Sequence, residues 1–136
     1  HLTSFDLGNH KYTPLCKEII DIHFENRHVL ILGDSKKTIP EYKNKHINKV
    51  FDLIFIDGGH DFNTAYNDIL NCKKFANDST IVVVDDVVED DNFRTNSNSG
   101  PTQAWKSLVS NGKLIELDCA HFEEINRGVA VGKFVF

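Results

Sequence analysis

Short runs of almost wholly apolar residues alternate with amphipathic stretches along this chain. Residues 2–6 read as the end of a strand that stops at Asp6 and is followed by Gly8. Between residues 13 and 24, Leu15, Ile19, Ile20 and Phe24 recur at helical spacing. Thr13 is the expected N-cap, with Pro14 at the first helical position. Residues 28–32 (HVLIL) form a continuous apolar strand, ended by Gly33-Asp34-Ser35. A short helix is expected over residues 37–45, weakened or divided by Pro40. Residues 51–56 (FDLIFI) give the next strand, ended by Asp57-Gly58-Gly59. Residues 63–75 predict a helix, with Tyr66, Ile69, Leu70 and Lys73 stacked by turns. Residues 80–84 (TIVVV) are the most hydrophobic strand and run straight into Asp85-Asp86. Residues 89–100 are polar, acidic and rich in Asn and Ser, and read as a mobile loop. Pro101 starts a helix carrying Trp105, Leu108 and Val109, and Gly112 stops it. Residues 113–119 and 129–136 read as a final pair of strands.

Nearly all-apolar strands separated by helices mean a mainly parallel sheet covered on both faces. The last two strands have no helix between them and are expected to be antiparallel. The pattern is a doubly wound, mainly parallel α/β fold with an antiparallel C-terminal strand pair. The 136 residues are expected to make one domain, spanning 1–136, with no internal repeat.

Composition narrows the partners. Hydrophobic residues make up 40% and charged residues 26%, the balance of an ordinary globular protein. No apolar run approaches the ~20 residues that cross a bilayer, so a membrane is not expected as a partner. A net charge of -5 disfavours nucleic acid as a partner. The three cysteines, Cys16, Cys72 and Cys119, are widely spaced and odd in number, which predicts buried reduced thiols in a cytoplasmic protein rather than disulfides or a zinc site. The chain starts at His1 and holds no Met, so a fragment of a longer protein is expected.

In open α/β sheets, ligands bind beyond the carboxyl ends of the strands. Asp6 stands at the first such end, Asp34 and Ser35 at the second, Asp57, Gly58, Gly59 and His60 at the third, and Asp85 and Asp86 at the fourth. A single strand-end Asp can simply cap the next helix. A carboxylate at every parallel strand end is poorly explained by capping alone. Asp57, Asp85 and Asp86 come from neighbouring strands, and three close carboxylates raise one another's pKa unless a cation joins them. Oxygen-only ligands suit Mg²⁺, Mn²⁺ or Ca²⁺. The alternative is that Asp86 caps a turn and Asp57 alone faces the cleft.

Residues 51–61, FDLIFIDGGHD, resemble the fourth-strand motif of class I S-adenosylmethionine (SAM)-dependent methyltransferases, and residues 80–86, TIVVVDD, resemble the fifth-strand motif. Together they resemble the cation-dependent O-methyltransferases: the catechol and caffeoyl-CoA types and the small group whose signature reads D-G-G-H. The resemblance implies a Rossmann-like fold, SAM as cofactor and a divalent cation, Mg²⁺ foremost, held by Asp57, Asp85 and Asp86. It implies that Asp6 holds the SAM ribose hydroxyls and that Gly33, Asp34 and Ser35 contact adenine, with Asp57 and Gly58 beside the cofactor. The catechol type carries a lysine base where His60 stands, so His60, catalytic with Asp57, either takes the acceptor's proton or hydrogen-bonds the loop backbone and holds Asp57 in place. Arg127, in the Asn126-Arg127-Gly128 turn, is expected at the surface, and Trp105 in the core.

One family feature is missing. The first strand and its glycine-rich loop, which wraps the methionine part of SAM, have no counterpart here. That strand lies mid-sheet in the family, between the second and fourth, so two unpaired strand edges are expected. Three explanations stand: an N-terminal segment precedes this chain, a second copy supplies the strand in a homodimer, or the sheet has closed up with a changed cofactor site. The function implied is metal-assisted O-methylation of a small-molecule hydroxyl, with residues 89–100 closing over the acceptor. The alternatives are a catalytically inactive methyltransferase-like binding or oligomerisation module, and a metal-dependent hydrolase using Asp57, His60, Asp85 and Asp86.

Overall fold

The computed structural model describes the whole backbone, and every side chain but that of Glu123. The chain makes two compact units, His1–Lys45 and His46–Phe136. No helix is long and apolar enough to cross a membrane.

In the first unit the elements are β1 (Leu2–Asp6), α1 (Thr13–His23), β2 (His28–Leu32) and α2 (Ser35–Lys45). β1 and β2 pair in parallel, from Leu2 opposite His28 to Asp6 opposite Leu32. Pro14 sits in the first turn of α1 as expected, but the N-cap is Tyr12, which makes no side-chain capping bond. Thr13 is instead buried, its hydroxyl 3.4 Å from Asp6 Oδ1. Leu15, Ile19 and Phe24 are exposed, because a two-stranded sheet offers a helix little to cover. α2 starts two residues earlier than the sequence predicts, and Pro40 does not divide it. Asp34 accounts for the early start: its carboxylate accepts from the Lys36 N–H at 3.0 Å and its carbonyl from the Lys37 N–H at 2.9 Å.

The second unit contains β3 (Leu53–Ile56), α3 (Phe62–Lys73), β4 (Ile81–Asp85), α4 (Ser99–Ser110), β5 (Leu114–Phe122) and β6 (Arg127–Phe134), with 3₁₀ turns at Asp91–Phe93 and Glu123–Ile125. The sheet order is β3-β4-β6-β5. β3 and β4 are parallel, and β6 lies antiparallel between β4 and β5. The expected antiparallel C-terminal pair is thus present, with its second strand inserted next to β4. β1 pairs only with β2, and β3 only with β4. Alternate side chains of the second sheet (Ile54, Ile56, Val82, Val84, Ala130, Phe134) are buried with Ala65 and Ile69 of α3 and Ala104, Trp105 and Leu108 of α4. Trp105 is wholly buried, and its indole N–H donates to the Glu116 carboxylate. A Cβ on Gly132 would lie 2.8 Å from the Trp105 ring, so the glycine makes room for the indole.

All three cysteines are free thiols. Cys16 is exposed, contrary to the expectation of burial, because it lies on the uncovered side of α1. Burial pushes the Cys72 thiol up to about 12 and the Cys119 thiol up to about 11.

Candidate active site

The loop after β3 carries Asp57-Gly58-Gly59-His60-Asp61. Asp61 ends it by capping α3, its carboxylate accepting from the Thr64 N–H at 2.9 Å. The glycines are there for space. A Cβ on Gly58 would lie 2.9 Å from Asp68 Oδ2, and one on Gly59 would lie 2.7 Å from the Thr64 methyl. A Cβ on Gly100 would lie 2.2 Å from the His60 carbonyl oxygen, so the first turn of α4 rests directly on the histidine's loop.

β4 delivers Asp85 and Asp86. Asp86 has φ +58°, a left-handed backbone that Asp tolerates better than most residues, and this turns its side chain away from the strand's alternation. Its carbonyl accepts from the Thr102 hydroxyl of α4 at 3.3 Å. Its carboxylate is buried and meets an imidazole and a guanidinium. Oδ2 lies 2.8 Å from His60 Nε2, and Oδ1 lies 2.9 Å from Arg127 Nε. Arg127 Nη2 donates to Asp85 Oδ2 at 3.1 Å, so one guanidinium spans both carboxylates. Asp86 is therefore no simple turn cap. Arg127 is exposed as expected, yet its two ion pairs make it an integral part of the site.

Arg127 is carried by a well-fixed backbone. Asn126 precedes it at φ +50°, and the buried Asn98 side chain donates to the Asn126 carbonyl at 3.1 Å. Gly128 follows it, with its carbonyl accepting from the Val87 N–H and no room for a Cβ, which would lie 2.1 Å from the Val87 oxygen. The same Asn98 accepts from the Thr95 N–H and donates to the Phe93 carbonyl. Lys106 donates to the Glu89 carbonyl and to Asp91. The segment expected as a mobile loop is thus tied down at several points, because its polar side chains are spent on backbone groups.

Among the described residues, Asp57, His60 and Asp86 form a group whose possible ligand atoms lie within 4.8 Å of one another. The predicted trio had Asp85 where this group has His60; the Asp85 carboxylate is turned to Arg127. Partial burial and then the charges of Asp85 and Asp86 push the Asp57 carboxyl above its usual range, with His60 and Arg127 acting in the opposite sense. Asp57, Gly58, His60, Asp68, Asp85 and Asp86 line a cavity of about 10 Å³, the room of a single water. Crowded carboxylates around a space of that size suit a small divalent cation of the Mg²⁺ or Mn²⁺ kind. A buried Asp86 Oδ1 that receives no hydrogen bond adds to the fit.

In the first unit the predicted cofactor residues have local partners. Asp6 Oδ1 accepts from the Gly8 N–H at 2.6 Å. Gly33, at φ +133°, donates its N–H to the Asp6 carbonyl. Asp34 caps α2, and Ser35 is that helix's first residue. The sequence reading missed Asn98, Gly100, Thr102 and Gly128, and undervalued Arg127. A Gly-Pro-Thr run at the head of a helix and a glycine directly after Arg127 were the available signals.

With fold and site in view, comparison with solved structures identifies the architecture as the Rossmann-like α/β fold of class I SAM-dependent methyltransferases. An O-methyltransferase from Bacillus cereus in complex with SAH matches at TM-score 0.73 and 13% identity, over 96% of this chain and 61% of that one. The TDP-rhamnose 3′-O-methyltransferase CalS11 of calicheamicin biosynthesis matches at TM-score 0.69 and 18% identity, over 96% of this chain and 57% of that one. Fibrillarin from Aeropyrum pernix, with natively bound S-adenosyl-L-methionine, matches at TM-score 0.62 and 16% identity, over 96% and 54%. The chain thus spans between about half and three fifths of the length of these structures. The family itself is set by sequence: residues 1–87 match the profile described as "Methyltransferase domain", and the chain belongs to that family. A search of the curated proteins finds no match.

Proposed function

We propose that this chain serves a SAM-dependent O-methyltransferase that methylates a small-molecule hydroxyl with help from a divalent cation. The observation that supports this best is the convergence of Asp57, His60, Asp85 and Asp86 at the carboxyl ends of β3 and β4 in a chain of the methyltransferase-domain family. Bound SAM would supply the methyl group, and a bound cation would lower the pKa of the acceptor hydroxyl. Asp57, Asp85 and Asp86 are the residues to hold that cation, Mg²⁺ or Mn²⁺. Asp6 would bind the ribose hydroxyls, Gly33, Asp34 and Ser35 the adenine, and Gly58 would let the backbone come close to the cofactor.

His60 is the proton acceptor in this reading. Its Nε2 donates to the buried Asp86, which fixes the ring and leaves Nδ1 as the basic nitrogen on a half-exposed imidazole. Asp57, on the same loop, orients the acceptor. The chemistry would otherwise be positioning: with its proton passed to His60, the acceptor oxygen would take the methyl group in line as the methyl–sulfur bond of SAM breaks and S-adenosylhomocysteine leaves. A net charge of -5 favours a small acceptor over nucleic acid, and three free thiols favour the cytoplasm.

The test is calorimetric titration of S-adenosylhomocysteine into this chain, with and without Mg²⁺. Micromolar binding is the expected result. Mg²⁺ binding that is lost in Asp85→Ala, without cofactor binding, would restrict the reading to the acceptor half of the site. Binding of neither ligand would leave an inactive module and sink the enzyme reading.

A further inference from the structure

We propose that the Arg127 guanidinium is a tethered counter-ion seated where Asp85 and Asp86 would grip a divalent cation, so that the cation binds by displacing it. This rests on the cation site proposed above, and adds to it a residue outside the stretch that matches the family, residues 1–87.

The geometry makes the competition direct. Arg127 Nε lies 2.9 Å from Asp86 Oδ1, and Nη2 lies 3.1 Å from Asp85 Oδ2. These are two of the three carboxylates that the cation site requires. A divalent ion would bind the same oxygens at about 2.0–2.6 Å and with twice the charge. It and the guanidinium cannot both occupy the space between them.

The contact at Asp86 is incomplete. Oδ1 is buried and close to Nε, yet receives no hydrogen bond. The guanidinium satisfies its charge and leaves its lone pairs unused, in a place where an unmade bond is costly. The other Asp86 oxygen is held by His60 at 2.8 Å. Oδ1 is therefore the open ligand position, and Arg127 is a partial stand-in for what would fill it. Asp57 makes neither of the two ion pairs that Arg127 forms, and crowding by Asp85 and Asp86 holds its carboxyl above the usual range.

The two partners differ in freedom. The Asp86 side chain is 2% exposed and that of Arg127 is 47% exposed. The anion is fixed by its left-handed backbone, by His60 and by Thr102. The backbone of Arg127 is fixed by Asn98 and Gly128, so only its side chain needs to swing, and it swings into water. Withdrawal costs two ion pairs and no repacking. The arrangement keeps Asp85 and Asp86 compensated in the cation-free protein, at the expense of cation affinity.

The experiment uses Mn²⁺ as the probe, following free ion by electron paramagnetic resonance in the wild type, Arg127→Gln and Arg127→Lys. Removing the competing charge is expected to tighten Mn²⁺ binding at least about tenfold in Arg127→Gln. Arg127→Lys, which keeps the charge without the fork, should fall between the two. Melting in EDTA checks that each variant is folded. A second readout needs no variant: the Arg127 Nε–H resonance should shift as diamagnetic Mg²⁺ saturates the wild type. Unchanged or weaker Mn²⁺ binding in Arg127→Gln, with an unmoved Arg127 resonance, would overturn the proposal and leave the cation site standing. Binding of neither ion to any form would overturn both.

Discussion

Asp34 and Asp86 carry the same signature, an aspartate just past an apolar strand, and the two units use it in opposite ways. Asp34 spends its carboxylate on a backbone N–H two residues away and starts α2. Asp6 does likewise with the Gly8 N–H. Asp86 caps nothing. Its partners, His60 and Arg127, are 26 and 41 residues away in sequence. A locally capped acid is already paid for by helix formation, while an acid whose partners come from other elements holds those elements in register. The contrast separates positions that build the scaffold from positions where chemistry can be placed.

Glycines give the strongest way to break this comparison. Gly8 in the first unit has φ +75°, and its missing Cβ would meet only the flexible Leu32 side chain, at 3.3 Å. Gly8→Ala should cost about 1–2 kcal/mol, the left-handed penalty alone. Gly100→Ala would drive a Cβ to 2.2 Å from the His60 carbonyl. Backbone must move there, so a loss of about 3 kcal/mol or more is expected, together with cation binding. Urea unfolding of both variants measures the difference, and equal costs would show that α4 does not brace the His60 loop.

The acids themselves come next. Asp86→Asn keeps the left-handed backbone and the shape but removes the charge that orients His60 and pairs with Arg127. Methyl transfer and Mn²⁺ affinity should fall about 10–100-fold. Asp34→Asn should leave stability within about 0.5 kcal/mol, because Asn caps a helix as well as Asp does. If Asp34→Asn also abolishes binding of S-adenosylhomocysteine, Asp34 serves the cofactor as well as the helix, and the division between scaffold and site acids narrows.

How much of this was legible depended on range. Strands such as residues 28–32 and 80–84, and the acids that end them, follow from local apolar runs and turn residues. The insertion of β6 between β4 and β5 does not, because it is decided by pairing across more than forty residues. The ladder that sets Asp85 opposite Val129 is what carries Arg127 just past its last rung, to the two acids. No local pattern marks that arginine. The bonding within residues 89–100 was hidden for a related reason: Asn98 satisfied by backbone carbonyls has the same sequence signature as Asn98 solvated by water. Thr13 was passed over as a cap because Asp6, on another element, took up its hydroxyl.

The smallest effect, and the one that bears most directly on why the site's acids are crowded, concerns Asp57. Its carboxyl is raised above the usual range, first by partial burial and then by the charges of Asp85 and Asp86. The native chain therefore holds this proton to a higher pH than the unfolded chain does. Stability associated with Asp57 is fully present below the ordinary carboxylate value and is lost as pH rises through the raised one, so at neutral pH the charged group works against the fold. Asp57→Asn should accordingly be more stable than the wild type at pH 7. The gain should vanish below about pH 4, where the aspartate is protonated in both states. The residue is largely exposed, so the shift in urea midpoint should be modest. Saturating Mn²⁺ should remove it by stabilising the charged form in the wild type. An Asp57→Asn variant no more stable than the wild type at neutral pH would mean that Arg127 and His60 already neutralise the cluster, and that a divalent cation has less charge to answer there than the crowding suggests.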